Sequence, residues 1–339
     1  MSGSDLEKEF RYDGQLVFNG LYSTEVVDAG INFEQVAKEQ LTDFTKGSPD
    51  NPSKGYGLIP YSEYVENSSK LPSEIKQTAE DIRALRRKYE DWEVGETKEG
   101  EELEFRQTES YDIYWDFPEF LLIKGNKTQA KRASEIVDYQ FSDYLKAVEI
   151  EFDPYFLQWL FYRRHADKTN LRDNLTINML RDAEIEGERE DRYGKRNQVD
   201  KSTDVTKSLP ILLGILDGKD ITSLEGIFDV RGNFVAASIE LGGRVHVKVE
   251  QAIEDVEPIS RMTLAILFIR ELLSLYNQWE SMSLKEKYPP DEFFLEVAEE
   301  CKRQGSEPTF SFDNVIKENR QLRTQGSQND TQAGLSDFS

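Results

Sequence analysis

The sequence predicts an α+β fold with a central β-α-β unit and a C-terminal antiparallel meander covered by a long apolar helix. The central unit is indicated by an apolar run at 117–124, a helical pattern at 127–146 and an alternating segment at 147–152. The meander is indicated by three strand-like segments within 224–251. The apolar segment 259–279, which follows them, is long enough to form a helix that covers one face of the meander.

The N-terminal region is predicted to contain a strand, two helices and a long loop. Residues 10–22 are rich in β-branched and aromatic side chains and predict a strand or hairpin, and 32–44 begins with a helix-capping residue. Gly, Pro, Ser and Asn are frequent in 46–70, which predicts a long loop. Apolar residues recur at spacings of three and four within 75–92, which predicts an amphipathic helix. The acidic segment 93–104 is predicted to be a linker or a hairpin loop.

Local signals define element ends in the central region. Gly125 and Asn126 separate the predicted strand from the helix that follows. Asp153 is a favourable N-cap, and Pro154 suits the first helical position, where its missing N–H is not needed. We therefore expect a helix at 155–164, whose many large apolar side chains predict burial on most of its circumference.

The meander carries a clear hairpin signal and an alternating strand. Gly242 and Gly243 form a two-residue connection of the kind that joins antiparallel strands. Valines alternate with polar residues in 244–251, so one face of this strand is predicted to be buried and the other to face water. A shorter helix is expected at 291–303.

These patterns divide the chain into five segments. The polar segment 182–207 is the strongest candidate for a boundary because its composition resembles that of a mobile linker. The predicted segments are an N-terminal strand and helix region with a long loop at 1–98, a central β-α-β-α unit at 99–181, a polar loop or linker at 182–207, a meander with helices at 208–316, and a disordered tail at 317–339.

Composition indicates an acidic, soluble, cytoplasmic protein without a membrane partner. The formal net charge of -23 disfavours non-specific binding of nucleic acid over the surface as a whole. A high-salt habitat and an ordinary acidic surface explain this charge equally well. The single cysteine, Cys301, excludes an intramolecular disulfide, and the N-terminus lacks the pattern of a signal peptide.

No catalytic or metal-binding motif stands out in the sequence. His165, His246 and Cys301 are too few for a closed zinc site, which takes about four such ligands. The nucleotide-binding patterns G-x-x-x-x-G-K-[ST] and G-x-G-x-x-G and the hydrolase pattern G-x-S-x-G are missing. We therefore predict no catalytic residue and no metal site, and the sequence indicates no cofactor.

Basic residues are concentrated at the ends of predicted helices. One cluster lies where the central strand meets its helix, and a second follows the aromatic helix at 155–164. Helix N-termini attract anions, although basic side chains at a helix C-terminus also stabilise the helix dipole. A third cluster lies at 83–88 and would extend the patch if the three met in space. The predicted residues for binding an anion or nucleic acid are Lys124, Asn126, Lys127, Lys131, Arg132, Arg163, Arg164, Lys168 and Arg172.

These observations favour a non-catalytic intracellular binding or regulatory protein that contacts nucleic acid or a nucleoprotein partner through a local basic patch. Two alternatives stay open. One is a metal-dependent phosphodiesterase or nuclease that uses clustered carboxylates. The other is a structural or assembly protein that forms homo-oligomers through the apolar helix at 259–279.

Overall fold

A computed structural model of the chain describes residues 16–27, 47–96, 98, 102–116, 118–140, 145–187, 194–248, 257–308 and 310–324. These residues form helices and antiparallel strands, which confirms the α+β class. They fall into two compact units. The first unit lies within 1–150 and 253–266, and the second within 151–252 and 267–339.

The described residues of the first unit form an antiparallel sheet and three complete helices. Its strands are β1 (Leu16–Val26), β2 (Lys54–Ile59), β3 (Ile82–Glu96), β4 (Glu102–Asp116), β5 (Phe120–Lys124) and β6 (Leu145–Glu149), and its helices are α1 (Tyr61–Asn67), α2 (Ser73–Thr78) and α3 (Lys127–Gln140). The strand order is β2-β3-β4-β5-β1, and β6 also pairs with β1. The strand predicted at 10–22 is confirmed for its described part, whereas the helix predicted at 32–44 lies outside the described residues.

The prediction of an amphipathic helix over 75–92 is wrong for the residues after Thr78. Helix α2 ends at Thr78, and the chain then enters β3, which pairs with β4 from Ile82↔Asp116 to Glu96↔Glu102. The predicted stripe combined residues of α2 with strand residues that belong to both faces of β3. Pairing with β4 along the whole strand overrides the local helical pattern, because strand formation depends strongly on tertiary context.

The predicted long loop at 46–70 is also wrong in part, since it contains β2 and α1. Helix α1 is held by Tyr61, which is 1% exposed and whose hydroxyl lies 2.7 Å from the hydroxyl of Thr263. The Tyr61 ring also packs edge-on against Tyr114, with ring centroids 5.8 Å apart. The polar composition of this segment predicted a loop, although the buried Tyr61 side chain anchors it as a helix.

Helix α3 covers one face of this sheet. Its start has a capping box: Asn126 Oδ1 accepts from the Gln129 N–H at 2.9 Å, and Gln129 Oε1 accepts from the Asn126 N–H at 2.9 Å. The helix comes so close to β1 that a Cβ atom at Gly20 would lie 3.1 Å from the Ala130 Cβ. The shared core consists of Tyr22, Leu85, Tyr111, Ile113, Trp115, Leu121, Ile123, Ala130, Ala133 and Leu145.

The second unit also contains antiparallel strands. Its strands are β7 (Asn170–Arg172), β8 (Leu175–Glu186), β9 (Arg196–Val199), β10 (Asp220–Val230), β11 (Asn233–Glu240) and β12 (Arg244–Lys248). They are ordered β12-β11-β10-β8-β7, and β9 pairs with β8. Two residues, Arg231 and Gly232, connect β10 to β11, and both have positive φ, as the tight turn requires.

Helices complete the second unit. They are α4 (Pro154–His165), α5 (Leu209–Leu216), α6 (Pro258–Ser281), α7 (Leu284–Lys287), α8 (Asp291–Arg303) and α9 (Asp313–Thr324), together with a 3-10 turn at Val205–Lys207; the first residues of α6, up to Ile266, belong to the first unit. The predicted cap of α4 is confirmed, since Asp153 Oδ1 accepts from the Tyr155 N–H at 2.8 Å. None of the described helices is long and apolar enough to span a bilayer.

Two polar segments are more ordered than predicted. The described part of 182–207 contains the end of β8, strand β9 and the 3-10 turn. Ion pairs across the strands, Arg196 with Glu184 and Lys195 with Glu186, explain how so polar a segment can form a hairpin. Within the predicted disordered tail, residues up to Thr324 belong to α9, and 325–339 lies outside the described residues.

Candidate anion-binding pocket

A small pocket lies at the edge of the first unit's core, where β2, β3 and β4 meet the start of α3. Its volume is about 220 Å³, below the roughly 300–1,000 Å³ of pockets that enclose a whole small molecule. Such a pocket suits a single polar group better than a large cofactor. The residues that line it are Pro52, Ser53, Lys54, Arg87, Tyr89, Glu90, Tyr111 and Arg132.

Two arginine–tyrosine pairs form the walls of the pocket. The Arg132 guanidinium carbon lies 5.6 Å from the centre of the Tyr89 ring, and that of Arg87 lies 6.0 Å from the Tyr111 ring. The two tyrosine rings are neighbours, with centroids 6.4 Å apart. The sheet register explains this arrangement, because Arg87 pairs directly with Tyr111 and their side chains therefore share one face.

Hydrogen bonds fix Tyr89 and connect it to α3. Its hydroxyl donates to Glu109 Oε2 at 2.5 Å, and Gln129 Nε2 donates to the same carboxylate oxygen at 3.1 Å. Gln129 also belongs to the capping box of α3. The tyrosine wall and the first turn of the helix that carries Arg132 are therefore held by one network.

Both tyrosines stay protonated over a wide pH range. Burial raises the pKa of Tyr111 above its ordinary value, and the nearby Arg87 only partly opposes this effect. Burial also raises the pKa of Tyr89, and its hydrogen bond to Glu109 acts in the same direction. Neutral phenols add no negative charge of their own to the walls of the pocket.

Glu90 is the one carboxylate among the described residues that line the pocket, and donors surround it. It accepts from the backbone N–H groups of Gly47 and Ser53, at 3.0 Å each to Oε2, and from the indole of Trp92 at 3.2 Å. Arg106 Nε lies 2.9 Å from its Oε1 atom. Burial works against ionisation, yet these donors outweigh it, and the pKa of Glu90 is lowered.

The pocket therefore has a positive local balance. Lys54, Arg87 and Arg132 contribute three cations. Two carboxylates lie close by: Glu90 is held by Arg106 and neutral donors, and Glu109 accepts from Tyr89 and Gln129. Lys54 pairs with Tyr89 across β2 and β3, which places its side chain on the same face as Tyr89. In a local environment with partial exclusion of water, such a balance favours an anionic group.

The first predicted cluster is divided between two faces of the sheet. Arg132 reaches the pocket, and Lys127 and Lys131 are exposed on α3. Lys124 pairs with Asp112, whose carboxylate accepts from Arg86 at 2.7 and 3.1 Å, so this group lies on the opposite face. Burial lowers the pKa of Lys124, although Asp112 opposes that effect.

Asn126 has a structural use that the sequence did not reveal. Its side-chain oxygen caps α3, and its own N–H donates to Gln129, so the capping box occupies both groups. Of the five predicted residues in this cluster, Arg132 is the one that lines the pocket, while Lys127 and Lys131 lie on the adjoining helix surface.

The second predicted cluster belongs to the second unit, where its basic groups contact that unit's own atoms. Arg163 donates to the carbonyl oxygens of Lys168 and Asn170, which closes the turn after α4. Other contacts in this cluster join Arg164 to Asp167 at 3.3 Å, Lys168 to the Tyr162 hydroxyl at 2.7 Å, and Arg172 to Glu271 at 3.8 Å. These contacts favour a role in holding the turn and strand that follow α4.

Sequence reasoning missed the aromatic part of the pocket. Tyr89 was assigned to a helix, Lys54 to a loop, and Tyr111 to no element, so nothing indicated that they would meet. The available signal was the alternation of Leu85, Arg87 and Tyr89, which places one apolar, one basic and one aromatic side chain on a single strand face.

Neither a metal cluster nor a known relative identifies the pocket. Among the residues that the structure describes, no group of three or more His, Cys, Asp or Glu side chains converges in a way that could hold a metal ion. The chain matches no protein-family model, and no curated protein is significantly similar to it.

Proposed function

We propose that this chain is a non-catalytic intracellular binding or regulatory protein whose pocket binds a phosphate group of a nucleic acid. The observation that carries the proposal is the placement of Arg87 and Arg132 beside Tyr111 and Tyr89 around one small cavity. Arginine presents several donors in a planar fork that matches the oxygen atoms of a phosphate. The predicted β-α-β unit would contribute Arg132 to this pocket, whereas the other lining residues lie on β2, β3 and β4 or just before β2.

The surface beside the pocket supports a ligand that extends beyond one phosphate. Lys127 and Lys131 are four residues apart on α3, so their side chains lie on the same side of the helix, and both are exposed. A single-stranded nucleic acid with one phosphate in the pocket could place neighbouring phosphates near these lysines. Proteins that bind single strands commonly combine a basic track of this kind with aromatic side chains.

The acidic character of the whole chain does not oppose this function. At physiological salt the Debye length is about 8 Å, so charges farther away are largely screened. A ligand at the pocket would respond mainly to Lys54, Arg87 and Arg132. The net charge of -23 would instead reduce non-specific contacts with the remaining surface.

The proposal can be tested with a fluorescently labelled, 5′-phosphorylated single-stranded oligonucleotide of about 12 nucleotides, a length within the usual site size. Fluorescence anisotropy at several salt concentrations would give the affinity and its salt dependence. We expect the triple variant Lys127→Glu, Lys131→Glu and Arg132→Glu to lose binding at moderate salt. In Arg87→Gln, which removes one cation, we expect weaker binding.

A matched control distinguishes the pocket from general electrostatics. The triple variant Lys285→Glu, Lys302→Glu and Arg303→Glu changes the net charge equally on α7 and α8 and should bind like the unchanged protein. The slope of log affinity against log salt should become shallower by about 2 when the three residues on α3 are neutralised to Gln. Equal binding by all variants, or no binding at the lowest salt, would refute the proposal.

The assembly alternative has less support from the apolar helix. Its apolar side chains, which include Met262, Ile266, Ile269, Leu273 and Trp279, are buried. Within 258–281 the exposed positions are polar or proline residues, so this helix presents no apolar face for another copy.

A further inference from the structure

The outer half of the β3–β4 hairpin extends beyond the strands that flank it. Strand β2 pairs with β3 from Ala84 to Tyr89, and β5 pairs with β4 from Asp112 to Asp116. Residues 91–96 and 102–110, which we call the acidic arm, have no strand partner outside the β3–β4 hairpin in the described part of the chain. The backbone of β4 therefore has an open edge of nine residues, 102–110, which is longer than a typical strand of about 5–6 residues.

Large apolar side chains are exposed on the acidic arm. Val94 is 63% exposed, Leu103 is 45% exposed and Phe105 is 56% exposed. Leu103 and Phe105 are two residues apart on β4 and thus lie on one face, where Gly95 leaves room for the phenylalanine ring. Val94 pairs with Glu104 and therefore lies on the other face of the hairpin, so Leu103 and Phe105 form the apolar surface that a partner could cover.

The acidic arm is also strongly negative. Residues 91–110 contain eight Asp or Glu residues and two Lys or Arg residues. One of the two basic residues, Arg106, is paired with the buried Glu90 at the base of the arm. The exposed part of the hairpin therefore presents carboxylates next to Val94, Leu103 and Phe105.

Contacts at the base hold the acidic arm in position. Trp92 Nε1 and Arg106 Nε both contact the Glu90 carboxylate, which also accepts from the backbone of Gly47 and Ser53. Trp92 and Arg106 pair directly across the two strands. Because the base is fixed, a partner that binds the arm need not order the hairpin first, and this reduces the entropic cost of binding.

We propose that the acidic arm binds a basic, extended protein segment whose apolar and cationic side chains alternate, and that this segment adds a strand along the open edge of β4. Main-chain hydrogen bonds to the edge would supply affinity, as in other cases of strand addition. Apolar side chains of the segment would cover Leu103 and Phe105. Its lysines or arginines would meet carboxylates such as Glu102 and Glu104, which are exposed on the same strand.

Charge argues against a second copy of this chain as the occupant. Pairing of two acidic arms would place carboxylates opposite carboxylates, and like charges that face each other across strands are destabilising. Charged edge strands commonly prevent self-association in this way. The same charges favour a cationic partner. The proposal does not rest on the phosphate pocket, because it involves a different ligand and the outer side chains of the arm, although Glu90 lines the pocket and also holds the base of the arm.

The probe for this proposal is a labelled, blocked peptide of about eight residues in which Lys and Val alternate, a length that matches the open edge. Its binding to the full chain would be followed by fluorescence anisotropy at low and high salt. We expect binding that weakens with salt, and slower amide hydrogen exchange within 102–110 when the peptide is bound. An isomeric peptide with the same composition but with its lysines and valines in separate blocks should bind more weakly.

Matched variants test the named side chains. Phe105→Ser should weaken peptide binding by about tenfold, which corresponds to about 1.4 kcal/mol, whereas Phe234→Ser removes another phenylalanine that is 64% exposed and should have no effect. Glu104→Lys should weaken binding, whereas Glu296→Lys, on the exposed side of α8, should not.

Several outcomes would overturn the proposal. These are no peptide binding at low salt, equal binding by Phe105→Ser and the unchanged protein, and protection from exchange outside 102–110. Self-association that is lost in Phe105→Ser would show that a second copy occupies the arm. Loss of oligonucleotide binding in the pocket variants with unchanged peptide binding would leave the proposal for the arm intact.

Discussion

Arg106 Nε lies 2.9 Å from Glu90 Oε1, and this contact joins neighbouring strands at the point where the pocket ends and the acidic arm begins. The Glu90 side chain is fully buried, and its other donors are Trp92 and the backbone of Gly47 and Ser53. The Glu90 carboxylate thus connects the backbone of Gly47 and Ser53 to Trp92 and Arg106 at the base of the acidic arm.

Replacement of Glu90 by Gln should lower the melting temperature of the first unit at neutral pH. The amide is a weaker acceptor than the carboxylate and removes the charge that Arg106 pairs with. Because folding lowers the pKa of Glu90, the carboxylate stabilises the fold above the ordinary pKa of a glutamate, and that contribution is lost as the pH falls through the folded-state pKa. The melting temperatures of Glu90→Gln and of the unchanged protein should therefore differ at pH 7, and this difference should become smaller as the pH is lowered to 3.

Glu104→Gln is the matched control for this experiment, because Glu104 is exposed on the acidic arm. Its melting temperature should stay close to that of the unchanged protein throughout. A Glu90→Gln variant with a pH-independent difference would show that the carboxylate acts through its shape alone.

Gly226→Ala should destabilise the second unit. A Cβ atom at Gly226 would lie 2.4 Å from the carbonyl oxygen of Met179 on the neighbouring strand β8, and 2.9 Å from Leu180 Cδ2. Backbone cannot move away as easily as the end of a side chain, so we expect a loss of about 1–3 kcal/mol in the free energy of unfolding, measured with urea.

Gly57→Ala is the control for this strain, since nothing lies within 4 Å of the added Cβ atom at that position in β2. Its stability should be unchanged or slightly higher, because alanine has less backbone freedom than glycine in the unfolded chain. If both variants lost the same stability, close backbone approach at Gly226 would not be the cause.

The sequence was most informative where local chemistry decides the structure. Asp153 and Pro154 predicted the start of α4, and Gly125 and Asn126 correctly separated β5 from α3. In contrast, β3 was predicted as a helix, because its apolar residues fit a helical stripe when the pairing with β4 is unknown. That pairing depends on residues up to 34 positions away, such as Ile82 with Asp116, and a local pattern carries no information about it.

The pocket, too, could be predicted only in part, because a local pattern does not show which strands pair. Arg132 was predicted from charge at a helix start, and that residue does line the cavity. Tyr89 and Tyr111 could not be predicted as its walls, because they become neighbours only through the β3–β4 register. Charge alone also led to the prediction that the basic residues after α4 bind a ligand. It could not show that Arg163 donates to two backbone carbonyls of the protein itself.

The imidazole of His246 should titrate below the ordinary pKa of 6.5. Burial is the largest cause of the lowered pKa, followed by the cations of Lys248 and Arg244, whereas Glu225 acts in the opposite direction. Because folding lowers this pKa, the contribution of His246 to stability is complete above pH 6.5 and is lost as the pH falls below it. The titration can be followed by NMR, and a His165→Gln variant would assign the two histidine signals.

Lys248→Met should raise the pKa of His246. The substitution removes one repelling cation and also releases Glu225, whose carboxylate lies 2.6 Å from Lys248 Nζ. Lys285→Met, at an exposed position on α7, should leave the titration unchanged. A pKa that did not move in Lys248→Met would mean that Lys248 does not contribute to the lowered pKa of His246.

Cys301 should be almost unreactive in the folded protein. Its side chain is buried in α8, and burial raises the pKa of the thiol to about 11, with a smaller contribution from Glu300. The thiolate is the reactive form, so at pH 8 only about 0.1% of the thiol is available, against about a quarter for a free cysteine. Reaction with an aromatic disulfide reagent should therefore be more than about 100-fold slower in the native chain than in guanidinium. Rapid labelling of the native chain, at the rate seen after unfolding, would mean that α8 opens readily and that Cys301 is accessible to solvent.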